Sequence, residues 1–389
     1  MDHTNLSDAF FLIFTGAAIL ATLALYSRQP ILIAYIALGC LIGPYGFGLV
    51  TDIPLMQEVA DIGIMFLLFL IGLDMGLSAL LAVIRESALV NIASAVVFFV
   101  AGVAVASCFG YHGIELLIIG MAMLNPSTIV ALKLLPTTVL HHKHTGELII
   151  GISLLQDLLA LLLISIIPAL AGGHFHPVVV GRLVLALPLL LVLAYIGVRR
   201  VLEPLLLRFD RFQEYVFLLA IGWCLGVAWV ASQIGLSRET GAFVAGISLA
   251  SSPIAQFIAL NLRPLRDFFL VLFFFTLGAG LNLHLVPAIV LPALALTVMV
   301  VSVKPVVYRY LLGHLSEKPD LAWDVGFRLG QVSEFSLLIA FSAAKALLIS
   351  AAASLLIQMV VILSFVVSTY IVIFNFPSPI AVSEALRRD

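Results

Sequence analysis

An all-α polytopic membrane protein with about 13 transmembrane helices is the fold class this sequence predicts. Three observations predict it. Of 389 residues, 63% are hydrophobic and only 10% are charged, whereas a soluble domain is nearer about 45–50% apolar and about 25% charged. Apolar runs of bilayer-spanning length recur from one end to the other. Basic residues, finally, gather in alternate loops. No soluble fold hides this much apolar surface, so the solvent is lipid.

A helix crosses the hydrocarbon with roughly 17–25 apolar residues. The first segment, 8–26, follows MDHTNLSD, which is acidic and polar, unlike the basic start of a secretory signal. The second, 29–43, and the ninth, 236–252, are short and glycine-interrupted. The third, 57–75, holds Asp61 and Asp74 near its ends, where they act as caps. The fourth is 86–107, and the fifth, 112–134, carries a polar interruption at its centre. The sixth, 146–170, contains Gln156-Asp157 in GISLLQDLLALLL. A seventh, 178–199, ends in Arg199-Arg200. After it come 213–232, the ninth segment, 264–283, then 286–312 with Lys304-Pro305, 322–345 with a second polar interruption, and 349–374. The pairs Gly39/Gly43, Gly72/Gly76 and Gly222/Gly226 have the small-xxx-small spacing of close helix packing.

Charge bias sets the orientation. With the N-terminus outside, the inner loops collect 14 of the 19 basic residues, from Arg28 and Arg85 through Arg199, Arg200, Arg208 and Arg211 to Arg387 and Arg388. Only Arg182, Arg238 and Lys345 fall outside, while Lys304 and Arg328 lie within helices. One membrane domain is expected over 1–375, with repeat one at about 8–170, a linker helix at about 178–199, repeat two at about 213–374, and a short cytosolic tail, 376–389. A net charge of -2 gives no reason to expect nucleic acid. The three scattered cysteines make neither a disulfide framework nor a metal-ligand spacing. No nucleophile–base set is visible, so neither an enzyme nor a cofactor is expected.

The two interruptions carry the functional reading. In the fifth segment Asn125-Pro126-Ser127-Thr128 places a proline and three polar groups at mid-membrane. Proline removes a backbone donor and frees an upstream carbonyl. In the twelfth, Gly330-Gln331-Val332-Ser333-Glu334 does the same with a glycine and polar groups. Irregular backbone survives at this depth only where protein or a water-filled cavity satisfies it. The breaks lie about 206 residues apart (125 to 331), the separation of the first six segments from the last six. Paired breaks at matching positions point to a transporter's ion site built from inverted repeats.

Asp157, Lys304 and Glu334 are the deepest ionisable residues. A carboxylate at mid-bilayer costs about 2.5–3.5 kcal/mol on insertion scales, so Asp157 must be protonated, paired, or bound to a cation. A group poised between proton and cation can exchange one for the other. Gln156 offers a neutral carbonyl oxygen, and Ser127, Thr128 and freed backbone carbonyls complete an oxygen shell; packing of Gln156 against a neighbouring helix is the competing reading. For Lys304 three roles stay open, an ion pair with Asp157, direct proton carriage, or the favoured neutralisation of half-helix carbonyl ends, with Glu334 or Asn125 facing the half-helix N-termini. The cytosolic HHKH stretch, 141–144, reads as a solvated loop.

Taken together, DIGIMFLLFLIGLDM, GISLLQDLLALLL, GLSRETGAFVAGISLASS, RPLRDFFLVLFFFTLGAGLNL and LGQVSEFSLLIA resemble, in order, the motifs of Kef-type monovalent cation:proton antiporters of the cation/proton antiporter superfamily. The resemblance runs over nearly the whole chain. It implies an NhaA-like fold of inverted repeats with two broken, crossing helices, an exchanging aspartate at Asp157, and K+ or Na+ exchanged for H+. It further implies a homodimer in a bacterial inner membrane. Many relatives carry a cytosolic regulatory domain; its absence from this sequence implies a stand-alone transporter, a separate regulatory subunit, or a truncated chain. Asn125-Pro126-Ser127-Thr128 stands where the family has Ser-Ser-Thr, and its Asn-Pro is similar to the Asp-Pro of sodium/proton exchangers, so both ions stay open. Electroneutral antiport is the leading expectation. A cation channel and a non-transporting ion sensor are the alternatives, the former requiring a pore lined by rings of carbonyls or acids.

Overall fold

The computed structural model describes residues 6–378 apart from 28, 30, 75–76, 128–129, 132–133, 136–142, 171–176, 210, 283–284 and 316. In chain order the helices are α1 (Leu6–Tyr26), α2 (Ile31–Ile42), α3 (Ile53–Asp74), α4 (Leu77–Ser107), α5 (Gly113–Ala122), α6 (Lys143–Leu170) and α7 (Pro177–Gly197). A π-helical turn, Val198–Leu202, leads from α7 into α8 (Glu203–Arg208). Next come α9 (Gln213–Gln233), α10 (Arg238–Leu249), α11 (Ala255–Ala279), α12 (Val286–His314), α13 (Pro319–Arg328), α14 (Phe335–Lys345) and α15 (Ala351–Asn375).

Among the described residues, 6 helical stretches are long and apolar enough to cross a bilayer: Leu6–Tyr26, Ala88–Ser107, Leu185–Arg208, Gln213–Gln233, Val286–His314 and Ala351–Asn375. Shorter apolar helices include α2, α5 and α14. The expected fifth and twelfth segments are each divided, because α5 stops at Ala122, and α13 stops at Arg328 before α14 resumes at Phe335. Both leading halves, Gly113–Ala122 and Pro319–Arg328, are 10 residues long.

The chain forms two compact units. The first gathers the described residues of Met1–Leu23, Ala34–Ala82 and Gly172–Leu281. Its centre is α3 against α11 and α10, and glycines let these backbones touch. A methyl group on Gly278 of α11 would strike the Ile36 backbone oxygen of α2, and one on Gly39 of α2 would strike that of Phe275. The same device joins α3 to α10, where Gly72 faces the Phe243 oxygen and Gly246 the Phe69 oxygen. Gly222 and Gly226 differ from the packing their spacing predicts, since no described heavy atom lies within 4 Å of a Cβ built on either.

The second unit gathers the described residues of Ala24–Ile33, Val83–Ala171 and Asn282–Asp389, hence α5, α6, α12, α13, α14, α15 and most of α4. Its apolar core includes Val90, Phe98, Leu124, Ile149, Ile152, Tyr308, Leu312 and Val325. All of the described candidate ion-site residues belong to this unit.

Close backbone approach makes a sharp stability prediction. Gly39→Val and Gly278→Val should each destabilise the protein by about 1–3 kcal/mol or more, while Gly222→Ala and Gly226→Ala should stay close to wild type. Thermal unfolding of the detergent-solubilised protein, variant against wild type, checks both halves.

Candidate functional site

Each broken helix ends by tightening. At the end of α5, Met123 N donates to Gly120 O at 3.1 Å and Leu124 N to Met121 O at 3.2 Å. At the end of α13, Gly330 N donates to Phe327 O at 3.2 Å. Beyond these turns the backbone is no longer helical, and its carbonyls need donors from elsewhere.

Those donors come from the other break and from three helices. Ser333 N donates to Asn125 O at 2.8 Å, which joins the two breaks backbone to backbone. The Lys304 ammonium, from α12, donates to Asn125 O at 3.0 Å and to Gln331 O at 2.9 Å. One lysine therefore serves both interruptions. Gln331 Nε2 donates to Ser127 O at 3.1 Å and its Oε1 accepts from Ser368 Oγ of α15 at 2.9 Å. Ser364 of α15 accepts from Val332 N at 3.1 Å, and the Ser336 hydroxyl of α14 donates to Ala122 O, the last residue of α5. Pro305, next to Lys304, lies directly against Gly326 of α13, where a Cβ would sit 2.9 Å from the Pro305 oxygen.

The side chains predicted for the ion site are buried together in this unit. Asp157 is 3% exposed, Lys304 1% and Glu334 5%. Glu334 stands at the N-terminal end of α14; its Oε2 accepts from Ser333 Oγ at 3.4 Å, and the Ser127 hydroxyl lies beside the same carboxylate. Ser127 Oγ also accepts from Val130 N at 3.2 Å, so it caps the chain as it turns helical again. Neither polar atom of the Asn125 amide has a hydrogen-bond partner among the described residues, although the residue is fully buried. Thr128 lies outside the described residues. Gln156 is held on both sides: its Nε2 donates to Ser94 Oγ of α4 at 3.0 Å, and its Oε1 accepts from the Tyr308 hydroxyl of α12 at 3.2 Å.

Buried polar atoms normally find partners. The breaks find donors for the carbonyls of Ala122, Asn125, Ser127 and Gln331, while the Asn125 amide and Glu334 Oε1 have no hydrogen-bond partner among the described residues; Ser127 and Ser333 add hydroxyl oxygens in the same pair of breaks. Such a set is rich in hard oxygen donors, suited to a proton or a hydrated alkali cation rather than to a soft metal.

Residues 10–375 match the transmembrane sodium/hydrogen exchanger family. The chain belongs to that family. It is a family of transporters, not of enzymes, and it places the chain in the cation/proton antiporter superfamily that its motifs resemble. K(+) efflux antiporter 4 of Arabidopsis thaliana is 30% identical over 353 residues, covering 87% of this chain and 58% of that protein. K(+) efflux antiporter 6 of the same plant is 29% identical over 321 residues, 80% of this chain and 53% of its own length. The chain thus spans about half the length of these plant relatives. The protein named iron transporter MagA, from Paramagnetospirillum magneticum, is 27% identical over 349 residues, 88% of this chain and 79% of that one. Among solved structures, the sodium proton antiporter MjNhaP1 from Methanocaldococcus jannaschii at pH 8 superimposes with a TM-score of 0.70 over 95% of this chain and 100% of its own, at 18% identity. That likeness establishes the exchanger fold.

One structural residue of this exchanger fold escaped the sequence reading. Arg328, fully buried at the end of α13, donates from Nε to Asp324 Oδ1 at 2.7 Å, from Nη1 to Leu134 O at 2.6 Å and from Nη2 to Pro377 O at 2.7 Å. It ties the far side of the first break to the backbone that follows α15. The local signal was the Asp324–Arg328 spacing of one helical turn; the two carbonyl partners leave none.

Removing the shared donor tests this arrangement. Lys304→Met keeps most of the volume but takes the lysine donor from Gln331 O and leaves Asn125 O with Ser333 N alone, and should lower stability by about 1–3 kcal/mol. Thermal unfolding checks the size of the loss, and a change below about 0.5 kcal/mol, the level of a neutral surface substitution, contradicts the bridging role.

Proposed function

We propose that this protein is a secondary antiporter exchanging a monovalent cation, K+ or Na+, for a proton by alternating access. Asp157 is the group that the two ions occupy in turn. The observation that carries this reading is a buried carboxylate in the same compact unit as two interrupted helices joined break to break and served by one lysine. A folded core tolerates such irregular backbone at membrane depth where it lines an ion path. Lys304 and Glu334 compensate the partial charges of the half-helices, and Asn125, Ser127, Thr128 and freed carbonyls supply oxygens around the ion.

The finer topology follows the same reading. The thirteen apolar segments cross the membrane with the N-terminus outside and the C-terminus in the cytosol. They form two inverted repeats about a linker helix, α7. Supporting this, the ten-residue helices α5 and α13 are offset by 206 residues (113 to 319 and 122 to 328). At that offset Asn125 corresponds to Gln331 and Ser127 to Ser333. Most of segments one to three and eight to ten falls in the first unit, and four to six and eleven to thirteen in the second, the pattern of two repeats each contributing three helices to each unit. A homodimer in a bacterial inner membrane completes the assignment. The names of the relatives include potassium efflux and sodium–proton exchange, besides the iron transporter MagA; with the oxygen-rich site they support activity with K+ and also with Na+.

Purified protein in liposomes with an imposed pH gradient tests the class. Cation addition should dissipate the gradient, faster with K+ present than with none, and without a steady current. Ion flux uncoupled from protons would make it a channel, and binding without flux a sensor. Asp157→Asn keeps the shape, removes the titrating charge and should abolish coupled exchange in a folded protein; robust exchange in that variant would falsify the site.

Competition at one carboxylate also fixes a pH dependence. The cation binds the deprotonated form, so stability of the cation complex is full above the carboxyl pKa and lost below it. Lowering pH on the binding side should raise the apparent cation KM, approaching about tenfold per pH unit in the protonated range, with little change in maximal rate at saturating cation. Initial rates measured over a grid of pH and cation concentration distinguish this from a fall in maximal rate.

A further inference from the structure

We propose that Tyr308 and Ser94 are positioning residues for this exchange, holding Gln156 as a bracket that sets the aim of Asp157. The inference rests on the antiport reading, and it changes the role of Gln156 from ion ligand to fixture.

The geometry is a closed set of three side chains from three helices. Tyr308 Oη of α12 donates to Gln156 Oε1 of α6 at 3.2 Å, and Gln156 Nε2 donates to Ser94 Oγ of α4 at 3.0 Å. Ser94 in turn donates to Asn91 O at 3.1 Å, and its hydroxyl also lies beside the Tyr308 oxygen. Because an amide oxygen only accepts and its nitrogen only donates, each proton in this chain has one direction: Tyr308 to Gln156, Gln156 to Ser94, Ser94 to Asn91. Bonds aligned head to tail in a low-dielectric interior reinforce one another. All three side chains are at most 1% exposed, so no bulk water replaces a lost partner.

The bracket is built onto the same surface that holds the breaks. Tyr308 is one helical turn beyond Lys304, and Ser94 one turn before Phe98, so each pair shares a helix face. Phe98 fills the gap between them, with the Lys304 ammonium 5.2 Å from its ring centre and the Tyr308 ring edge-on at 5.4 Å. One face of α12 therefore grips the two breaks through Lys304 and grips α6 through Tyr308. Neighbouring residues on a helix point about 100° apart. Fixing the Gln156 amide against α12 and α4 thus fixes the rotation of α6, and with it the direction of the Asp157 carboxylate, which lies within electrostatic reach of Tyr308. The tyrosine engages one lone pair of the Gln156 oxygen and holds the amide toward α12.

Tyr308→Phe removes the donor and keeps the ring against Phe98. Ser94→Ala removes the other partner from a different helix, and Ser94→Thr keeps the hydroxyl. In proteoliposomes, Tyr308→Phe and Ser94→Ala should each raise the apparent cation KM by about fivefold, the effect of one lost buried hydrogen bond, and shift the K+ to Na+ preference. Maximal rate should stay within about twofold and Ser94→Thr should match wild type. Unchanged KM and ion preference in both deletions overturns the proposal, as does a fall in thermal stability or maximal rate with KM unchanged. Asp157→Asn is measured alongside: if it still exchanges ions, the antiport site itself is wrong, whereas inactive Asp157→Asn with wild-type-like Tyr308→Phe and Ser94→Ala removes only the bracket.

Discussion

The second unit depends on where Lys304 puts three protons. In a bilayer there is no water to satisfy a stranded carbonyl, so two chain breaks at membrane depth are affordable only if donors are supplied from within. A single ammonium placed 3.0 Å from Asn125 O and 2.9 Å from Gln331 O answers both. It also brings positive charge to where half-helix carbonyl ends concentrate negative potential. The residues around it follow from this one contact. Pro305 and Gly326 let α13 lie against α12, and Ser364 and Ser368 of α15 finish the polar accounting that Lys304 begins.

Much of this was legible in the sequence, for reasons that can be named. Hydrocarbon selects uninterrupted apolar length, so every segment read from the chain contains helix in the structure. Boundaries were less legible: α11 begins at Ala255 rather than 264, because the amphipathic stretch with Asn261 and Arg263 is helical without being wholly apolar. The breaks were visible because Pro126 and Gly330 sit among polar residues inside apolar runs. Pairings were not visible. Tyr308 and Gln156 are separated by 152 residues, and Arg328 and Leu134 by 194, and no local pattern marks a partner at that range. The same limit explains Gln156, whose neutral amide suits an ion ligand and a bracket equally until its neighbours are known.

The two breaks also show how similar chemistry arises twice. Asn125 and Gln331 are both amides, and Ser127 and Ser333 both place a hydroxyl beside Glu334. On the inverted-repeat reading, the equivalence stops at the lysine. The residue 206 positions before Lys304 is Phe98, and the two meet, ammonium over ring. A second lysine there would set two like charges in contact within a dry core, a repulsion of several kcal/mol or more at a low effective dielectric. Where one charge serves both halves, its counterpart has to be neutral.

That asymmetry bears on why exchange would be obligatory. Among the described residues, five buried side chains of this unit are ionisable: Lys304 and Arg328 to cations, Asp157, Asp324 and Glu334 to anions. With all of them ionised the sum is one negative charge, and one proton or one monovalent cation at Asp157 brings it to zero. Both loaded forms are then neutral inside, while the empty form carries an uncompensated buried charge, a state that costs several kcal/mol. On the antiport reading, the conformational change that moves the site from one side to the other is easy with either ion aboard and hindered with neither. A divalent ion would leave the unit one charge positive, which favours monovalent cargo. On that reading, and with all five groups ionised, coupling needs no separate gate: three carboxylates against two cations leave one negative charge for a proton or a cation to neutralise.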